Sequence, residues 1–426
     1  MRRRTALLLV VLSLILAACD TGGSDSTTTT ESAGTTEAET PDTTQPAATT
    51  TEPSSDTTEP AAGGDPIVIG AAIDQTSFMA PFDNPAILAA QLTVEQINAA
   101  GGVDGRPLEL EVIDTQLDPE QTLSAAADLI DGGAEILLVT CDVDFATPAV
   151  QEAISRGILA VAPCIGTDQM GPKRFGPEGE LAFSFGNVAQ DEGAVMAEFA
   201  IDQGWTTAAI ARDNLIVYFQ NAVDAFRVRY EELGGTVSIA EEFTNGDGTI
   251  GTVVSSVSNS GVDVIVTSTA FDDMPALVSG VRSLGDNTPI LCTWSCDGAY
   301  WTSEDLSEFY LVTFASVFGD DPSPAVGGII EGMTAAGQAP ATGGFVGGAD
   351  TILAIAAAIE ATGGTDGAAL AGHLQEMTDF EAASGPISFS ADYHTVFGRD
   401  YRVLVVQDGQ HALLETRRAT SPAEID

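Results

Sequence analysis

Ile136 to Asp168 reads ILLVTCDVDFATPAVQEAISRGILAVAPCIGTD. The opening apolar run, Ile136 to Val139, ends in Thr-Cys-Asp. Pro148, tolerated at the first helical position, predicts a helix from that point with Thr147 as its N-cap. A second apolar run, Leu159 to Ala162, follows Gly157 and ends in Pro163-Cys164-Ile165-Gly166-Thr167-Asp168. Strand, helix and strand in this order form a βαβ unit with both strand ends at one edge. In an open parallel sheet, ligands meet the carboxyl ends of the strands, where loops enter helix N-termini. The stretch therefore predicts one rim shared by Cys141, Asp142, Asp144, Thr147, Cys164 and Thr167.

The same alternation runs outward in both directions. Before the unit lie a strand at Ile67 to Ala71, a helix from Pro85 to Ala100 stopped by Gly101-Gly102, a strand at Leu108 to Ile113, and a helix at Pro119 to Ile130 with Asp118 as N-cap. After it, strands are expected at Ala182 to Phe185, Thr207 to Ala211, Thr236 to Glu242, Val262 to Ser268 and Pro289 to Thr293. Helices fall between them at Asp191 to Gln203, Tyr218 to Leu233, Ile250 to Ser258 and Met274 to Leu284. Two consecutive βα runs of similar design predict an α/β protein of two doubly wound parallel-sheet lobes, not one very wide sheet.

The N-terminal residues read as an export signal. Arg2 to Arg4 form a positive region, Thr5 to Leu16 an apolar one, and Leu16-Ala17-Ala18-Cys19 a small-residue exit. The apolar run is short for a membrane span. The Leu-Ala-Ala-Cys end resembles a bacterial lipobox, which makes residues 1–19 the signal and Cys19 the lipidated first residue of the mature chain; the alternative is an ordinary signal peptide with a chance cysteine. Residues 20–65 are mostly Thr, Ser, Glu, Asp, Pro, Ala and Gly, with no aromatic residue, Lys or Arg. They bury too little apolar surface to offset the entropy of ordering, so a disordered tether is expected.

Sixty-two acidic against 15 basic residues give a formal charge of −47. Without the three signal arginines and the ten tether acids, 52 acidic and 12 basic residues remain, a charge of −40 on the folded part. Such a surface argues against nucleic acid, which needs a basic footprint. The four cysteines of the folded part allow three pairings. Cys141 with Cys164 would join the ends of neighbouring strands, and Cys292 with Cys296 would close a small loop; zinc held by all four thiolates is the alternative, although no Cys-x-x-Cys pair is present. His373, His394 and His411 pair with no nucleophile and lack metal-ligand spacing, and there is no Gly-x-Ser-x-Gly elbow or phosphate loop. No catalytic site, metal or cofactor is expected.

Several segments together carry a family resemblance: Ile67-Val68-Ile69-Gly70, Ile97-Asn98-Ala99-Ala100-Gly101-Gly102-Val103-Asp104-Gly105-Arg106-Pro107-Leu108, Asp114 to Pro119, the Cys141 to Pro148 turn, Gly385-Pro386-Ile387-Ser388-Phe389 and a terminal hairpin around Asp408-Gly409. In these the chain resembles type I periplasmic substrate-binding proteins of the branched-chain amino acid ABC-transporter class. The resemblance implies two lobes joined by a three-strand hinge that close over a small ligand. Residues 66–188 and 316–389 would form the first lobe, 189–315 and 390–420 the second, with crossovers near 186–189, 312–316 and 389–392.

The resemblance also implies a site. Thr147 and the amides near Pro148 would take the ligand carboxylate, and Thr167 a further hydroxyl contact. Tyr218 and Phe271 would cover the ligand from the second lobe, and Asp297 would accept its ammonium group. Phe78, Phe82, Phe145 and Trp294 add candidates for an apolar wall. Asp142 and Asp144 stand where the family has serines, so either they cap backbone amides or the ligand is not an amino acid anion. The expected protein is a monomeric, lipid-anchored receptor on the outer face of the cell membrane that passes a small amphipathic solute to a membrane permease. The alternatives are a ligand-sensing module for a signalling partner, and a binder of a cationic, amide or aromatic solute.

Overall fold

The computed structural model describes residues 63–425; Cys19 and the tether up to residue 62 lie outside them. The first part of the described chain runs β1 (Ile67–Ile73), α1 (Ala80–Ala99), β2 (Leu108–Asp114), α2 (Pro119–Gly132), β3 (Ile136–Val139), α3 (Val143–Ser155), β4 (Leu159–Ala162), a short α4 (Pro172–Phe175) and β5 (Ala182–Ser184). It continues with α5 (Ala189–Asp202), β6 (Thr207–Asp213), α6 (Val217–Glu232), β7 (Thr236–Phe243), α7 (Ile250–Val257), β8 (Val264–Ser268), α8 (Asp273–Ser283), β9 (Ile290–Cys292) and β10 (Phe309–Thr313). The last part holds α9 (Pro324–Ala335), α10 (Val346–Thr362), α11 (Gly367–Gln375), a small ribbon of β11 (Phe380–Ala382) and β12 (Gly385–Ile387), then β13 (Tyr401–Gln407) and β14 (Gln410–Arg417).

Two sheets result. The first has the order β2-β1-β3-β4-β5 and is parallel throughout. The second has the order β7-β6-β8-β9-β10-β13-β14, parallel until the antiparallel pairs β10–β13 and β13–β14. Strands buried on both faces read as continuous apolar runs, as β3 and β4 do. In each sheet the strand order reverses once, between β1 and β3 and between β6 and β8. Those switch points open crevices at the carboxyl ends of the strands.

Two helices begin earlier than their prolines predict. α3 starts at Val143, not Pro148, because the Asp142 side chain accepts from the amides of Asp144 and Phe145 and caps it there. A cap is worth about 1 kcal/mol and an interior proline costs about 3 kcal/mol, so capping alone does not decide the boundary. Val143 and Ala146, both fully buried, supply the difference, since a buried Val side chain contributes about 1.5–3 kcal/mol. Thr147 is consequently not a cap: it lies inside α3 and its hydroxyl donates to the Val143 carbonyl. α1 likewise starts at Ala80, with Pro85 inside it. The expected Asp118 cap is present, accepting from Gln121 N.

Gly343 to Thr362 is long and apolar enough to cross a membrane, but it is mostly buried in the protein. Its Gly347-Gly348 pair permits a close approach: a Cβ on Gly347 would stand 2.0 Å from the Pro163 carbonyl oxygen, and one on Gly348 1.8 Å from that of Ala86. Where the chain leaves β5, the residues beside the crossover pair with a later segment: Ser184 N donates to His394 O, Val396 N to Ser184 O, and Val188 N to Val396 O. Arg399 is fully buried beside them, paired with Asp350 at 3.1 Å and donating to Phe185 O.

Candidate functional site

The two switch points face one cleft. Met79, Phe82, Cys141 and Asp142 line it from the first sheet's side, and Ile216, Tyr218, Phe219, Ala270, Phe271, Trp294 and Ser295 from the second's. All of these except Asp142 and Ser295 join one apolar cluster spanning both sheets. Its open volume is about 20 Å³, room for about one water, so a solute enters only if the sheets part or the aromatic rings move. A larger cavity of about 610 Å³ lies between α8 and the loop carrying Trp301 and Leu306. It draws on the second lobe alone and sits at neither switch point, so the cleft is the better candidate for a ligand site.

The floor of the cleft is built from loop geometry at the strand ends. Cys141 and Cys164 are joined by a disulfide, with Cα atoms 4.8 Å apart, and tie the end of β3 to the loop after β4. Asp83 lies against them: Oδ1 accepts from Cys141 N at 2.8 Å, and Oδ2 from Asp74 N at 2.9 Å and from the Thr140 hydroxyl. Burial pushes the Asp83 carboxyl up to about 7 despite these donors. Asp83, Cys141 and Cys164 are grouped closely enough to suggest a metal site, but the disulfide leaves no thiolate to ligate one.

Asp142 uses Oδ1 to cap α3 and lines the cleft; among the described residues no group donates to its Oδ2. Burial, and then neighbouring Asp144, push its carboxyl up to about 7. On the other side, Tyr218 donates to Glu192 Oε2 at 2.9 Å and Trp294 N donates to Glu192 Oε1 at 2.8 Å. Glu192 is fully buried in α5, and burial raises its carboxyl to about 8.

The expected site residues separate into groups. Asp142, Tyr218 and Phe271 line the cleft. Phe78 sits at its mouth, 42% exposed, edge-on to Phe145 at 5.2 Å and to Phe271 at 4.7 Å. Phe271 holds its place with a φ of 54°, a left-handed conformation uncommon for an aromatic residue. Asp144 and Thr167 reach across to α6: Asp144 Oδ2 accepts from Val217 N at 3.0 Å, and the Thr167 hydroxyl donates to Asn221 Oδ1 at 2.8 Å. Asp144 also pairs with Arg174 at 2.8 Å. Asp297 lies below the surface, accepting from the Thr313 hydroxyl and Gly343 N, with burial raising it to about 6. The second disulfide joins Cys292 to Cys296.

Asp83 and Glu192 escaped sequence reasoning. Their signal was available: each is an acid set among apolar residues of a helix, in MAPFDNPAIL and DEGAVMAEF, where a charge finds a reason to be buried only as a hydrogen-bond acceptor.

The profile of the periplasmic binding protein family matches residues 66–410, most of the chain. The chain belongs to that family. It is a binding protein of type I architecture in the branched-chain amino acid class, and its relatives are binding proteins, not enzymes. It is 24% identical over 329 residues to the leucine-, isoleucine-, valine-, threonine- and alanine-binding protein of Pseudomonas aeruginosa, covering 76% of this chain and 86% of that one. Among solved structures, the branched-chain amino acid transporter substrate-binding protein LivJ of Streptococcus pneumoniae, in complex with isoleucine, superposes with a TM-score of 0.72 at 20% identity, covering 83% of this chain and 99% of that one. A solute-binding protein of an R. palustris ABC transporter, in complex with benzoate, gives 0.69 at 17% identity, covering 84% and 98%. At these identities the structural likeness establishes the fold of this binding protein.

Proposed function

We propose that this protein captures a small amphipathic solute between its two lobes on the outer face of the cell membrane and presents it to the permease of an ABC importer. The observation that carries this reading is the convergence of both switch points on one apolar cleft, with walls from both sheets. Contacts that form with both walls only when the lobes meet would supply the free energy of closure. The moving bodies are 66–188 with 316–389, and 189–315 with 390–420. Asp142, Tyr218 and Phe271 touch the solute, while Asp144 and Thr167 fasten one lobe to the other. The relatives' ligands, which include leucine, isoleucine, valine and benzoate, carry apolar bodies that suit the apolar walls of such a cleft.

Lipidation at Cys19 would hold the protein at the membrane through the Thr-rich tether, as a monomer. A thermal-shift screen across amino acids, amides, amines and aromatic acids, followed by small-angle scattering with the best stabiliser, tests the reading. Compaction on binding is expected, and an unchanged radius at saturation would refute closure. Cys19→Ala should move the protein from the membrane fraction to the soluble one; retention in the membrane would refute the anchor.

A further inference from the structure

We propose that the solute held in the cleft is a cationic amine or quaternary ammonium compound with an apolar body and no free carboxylate. The inference rests on the solute-binding reading above and gives that solute a charge.

A ligand carboxylate in an α/β cleft is held by free backbone amides at helix N-termini or by basic side chains. Here many of the amides around the cleft are already held by the protein's own acids, although Tyr218 N and Phe219 N at the start of α6 are not. Asp74 accepts from Thr76, Ser77 and Met79 N; Asp83 from Asp74 and Cys141 N; and Asp142 from Asp144 and Phe145 N. Across the cleft, Asp144 accepts from Val217 N and Glu192 from Trp294 N. The N-termini of α3 and α6, one on each side, therefore each carry an internal carboxylate. A second anion would have to displace one or sit beside it.

The walls supply no compensating charge. Among the described residues none of Lys, Arg or His lines the cleft, and Arg174, whose charge acts on Asp142, is engaged by Asp144. What the walls do offer suits a cation. Phe82 and Trp294 meet edge-to-face at 5.1 Å, Tyr218 lies 6.0 Å from Trp294, and such ring faces attract ammonium groups. Asp142 adds an acceptor, its Oδ2, which takes no hydrogen bond from any described residue. Burial that raises the Asp142 carboxyl to about 7 fits this role, since a cation beside it would restore the charged form.

The experiment is calorimetric titration of the purified full chain with matched compounds on common skeletons. These are leucine, leucinamide and isoamylamine; phenylalanine, phenethylamine and 3-phenylpropionate; and phenyltrimethylammonium. Amines, the amide and the quaternary compound should bind at least 100-fold more tightly than their carboxylate counterparts. Asp142→Asn, which keeps the helix cap, should weaken cation binding at least tenfold, and its thermal midpoint shows whether it is folded. Phe271→Ala provides a second variant and should weaken phenyltrimethylammonium more than leucinamide. A free carboxylate that binds as tightly as its amine, cation binding unchanged in folded Asp142→Asn, or no binding by any cation would overturn the inference. Scattering separates the two levels: compaction with a carboxylate ligand rejects the cation and leaves lobe closure standing, whereas tight cation binding without compaction rejects closure.

Discussion

The two sides of the cleft solve the same problem in different ways. On the first lobe, β3 and the loop after β4 are bolted together by Cys141–Cys164, and the backbone amides of the rim are taken by Asp74, Asp83 and Asp142. The second side presents rings: Tyr218, Phe219, Phe271 and Trp294, steadied by one buried acid, Glu192, and by a disulfide that closes only a local turn. A long-range covalent tie and amides held by carboxylates make a fixed rim. Aromatic rings held by packing and a single hydroxyl contact make an adjustable one. The difference teaches that, on the proposed reading, discrimination by charge would reside on the first lobe and accommodation of shape on the second.

The largest expected effect tests the covalent half of that contrast. Cys141 and Cys164 are 23 residues apart, Cys292 and Cys296 only 4. Loop-closure entropy then gives the first bridge about 3 kcal/mol of stability and the second about 2 kcal/mol. Urea unfolding of the Cys141→Ala/Cys164→Ala and Cys292→Ala/Cys296→Ala variants should rank in that order. The reverse ranking would break the claim that the first rim is the more rigid.

An intermediate effect should appear in the pH dependence of stability. Burial raises Asp83 and Asp142 to about 7, Glu192 to about 8 and Asp297 to about 6. Each is above its ordinary value, so the folded protein retains protons that the unfolded chain releases. The stability these groups contribute is complete below about pH 4 and is lost as pH rises towards 8. Asp114, Asp247, Asp263 and Asp286, held below the ordinary range, act in the opposite sense, in the acid range below the ordinary aspartate value. The thermal midpoint should therefore fall by several degrees between pH 5 and pH 8. Glu192→Gln should flatten the upper part of that fall, and Asp142→Asn the part around pH 7. Asp144 and Arg174 are the charged groups acting on Asp142, with Tyr218 and Ser295 facing it across the cleft, and none of these alters the sign. A midpoint that rises with pH over this range would show that these acids are charged in the folded protein.

The smallest effect concerns the bonds between the sides. Asp144 to Val217 N and Thr167 to Asn221 join the lobes through partly exposed polar contacts worth about 0.5–1.5 kcal/mol each. Asp144→Ala and Thr167→Val should shift the scattering of the protein towards larger radii and speed ligand release a few-fold, with little change in unfolding midpoint. A loss of stability as large as that of the first disulfide would mean that these residues support the fold of one lobe and do not fasten two.

Much of this protein follows from its sequence alone. The βα alternation, the Asp118 cap and the glycine stop at 101–102 are set by periodicity and capping within a few residues, and they reappear in the structure; so do the two expected cysteine pairs, of which only Cys292–Cys296 is local. Where a helix starts was less legible: Pro148 and Pro85 mark good first positions, but α3 begins earlier because Val143 is buried and Asp142 is free to cap, and α1 begins earlier with Phe82 and Asp83 buried ahead of its proline, facts fixed by what packs against them. The role of each acid was settled only by the tertiary structure. Asp142 caps and lines the cleft, Asp144 bonds an amide 73 residues away, Asp297 turns inward, and Asp83 and Glu192 enter the core, because a carboxylate goes wherever folding leaves amides and hydroxyls in need of an acceptor.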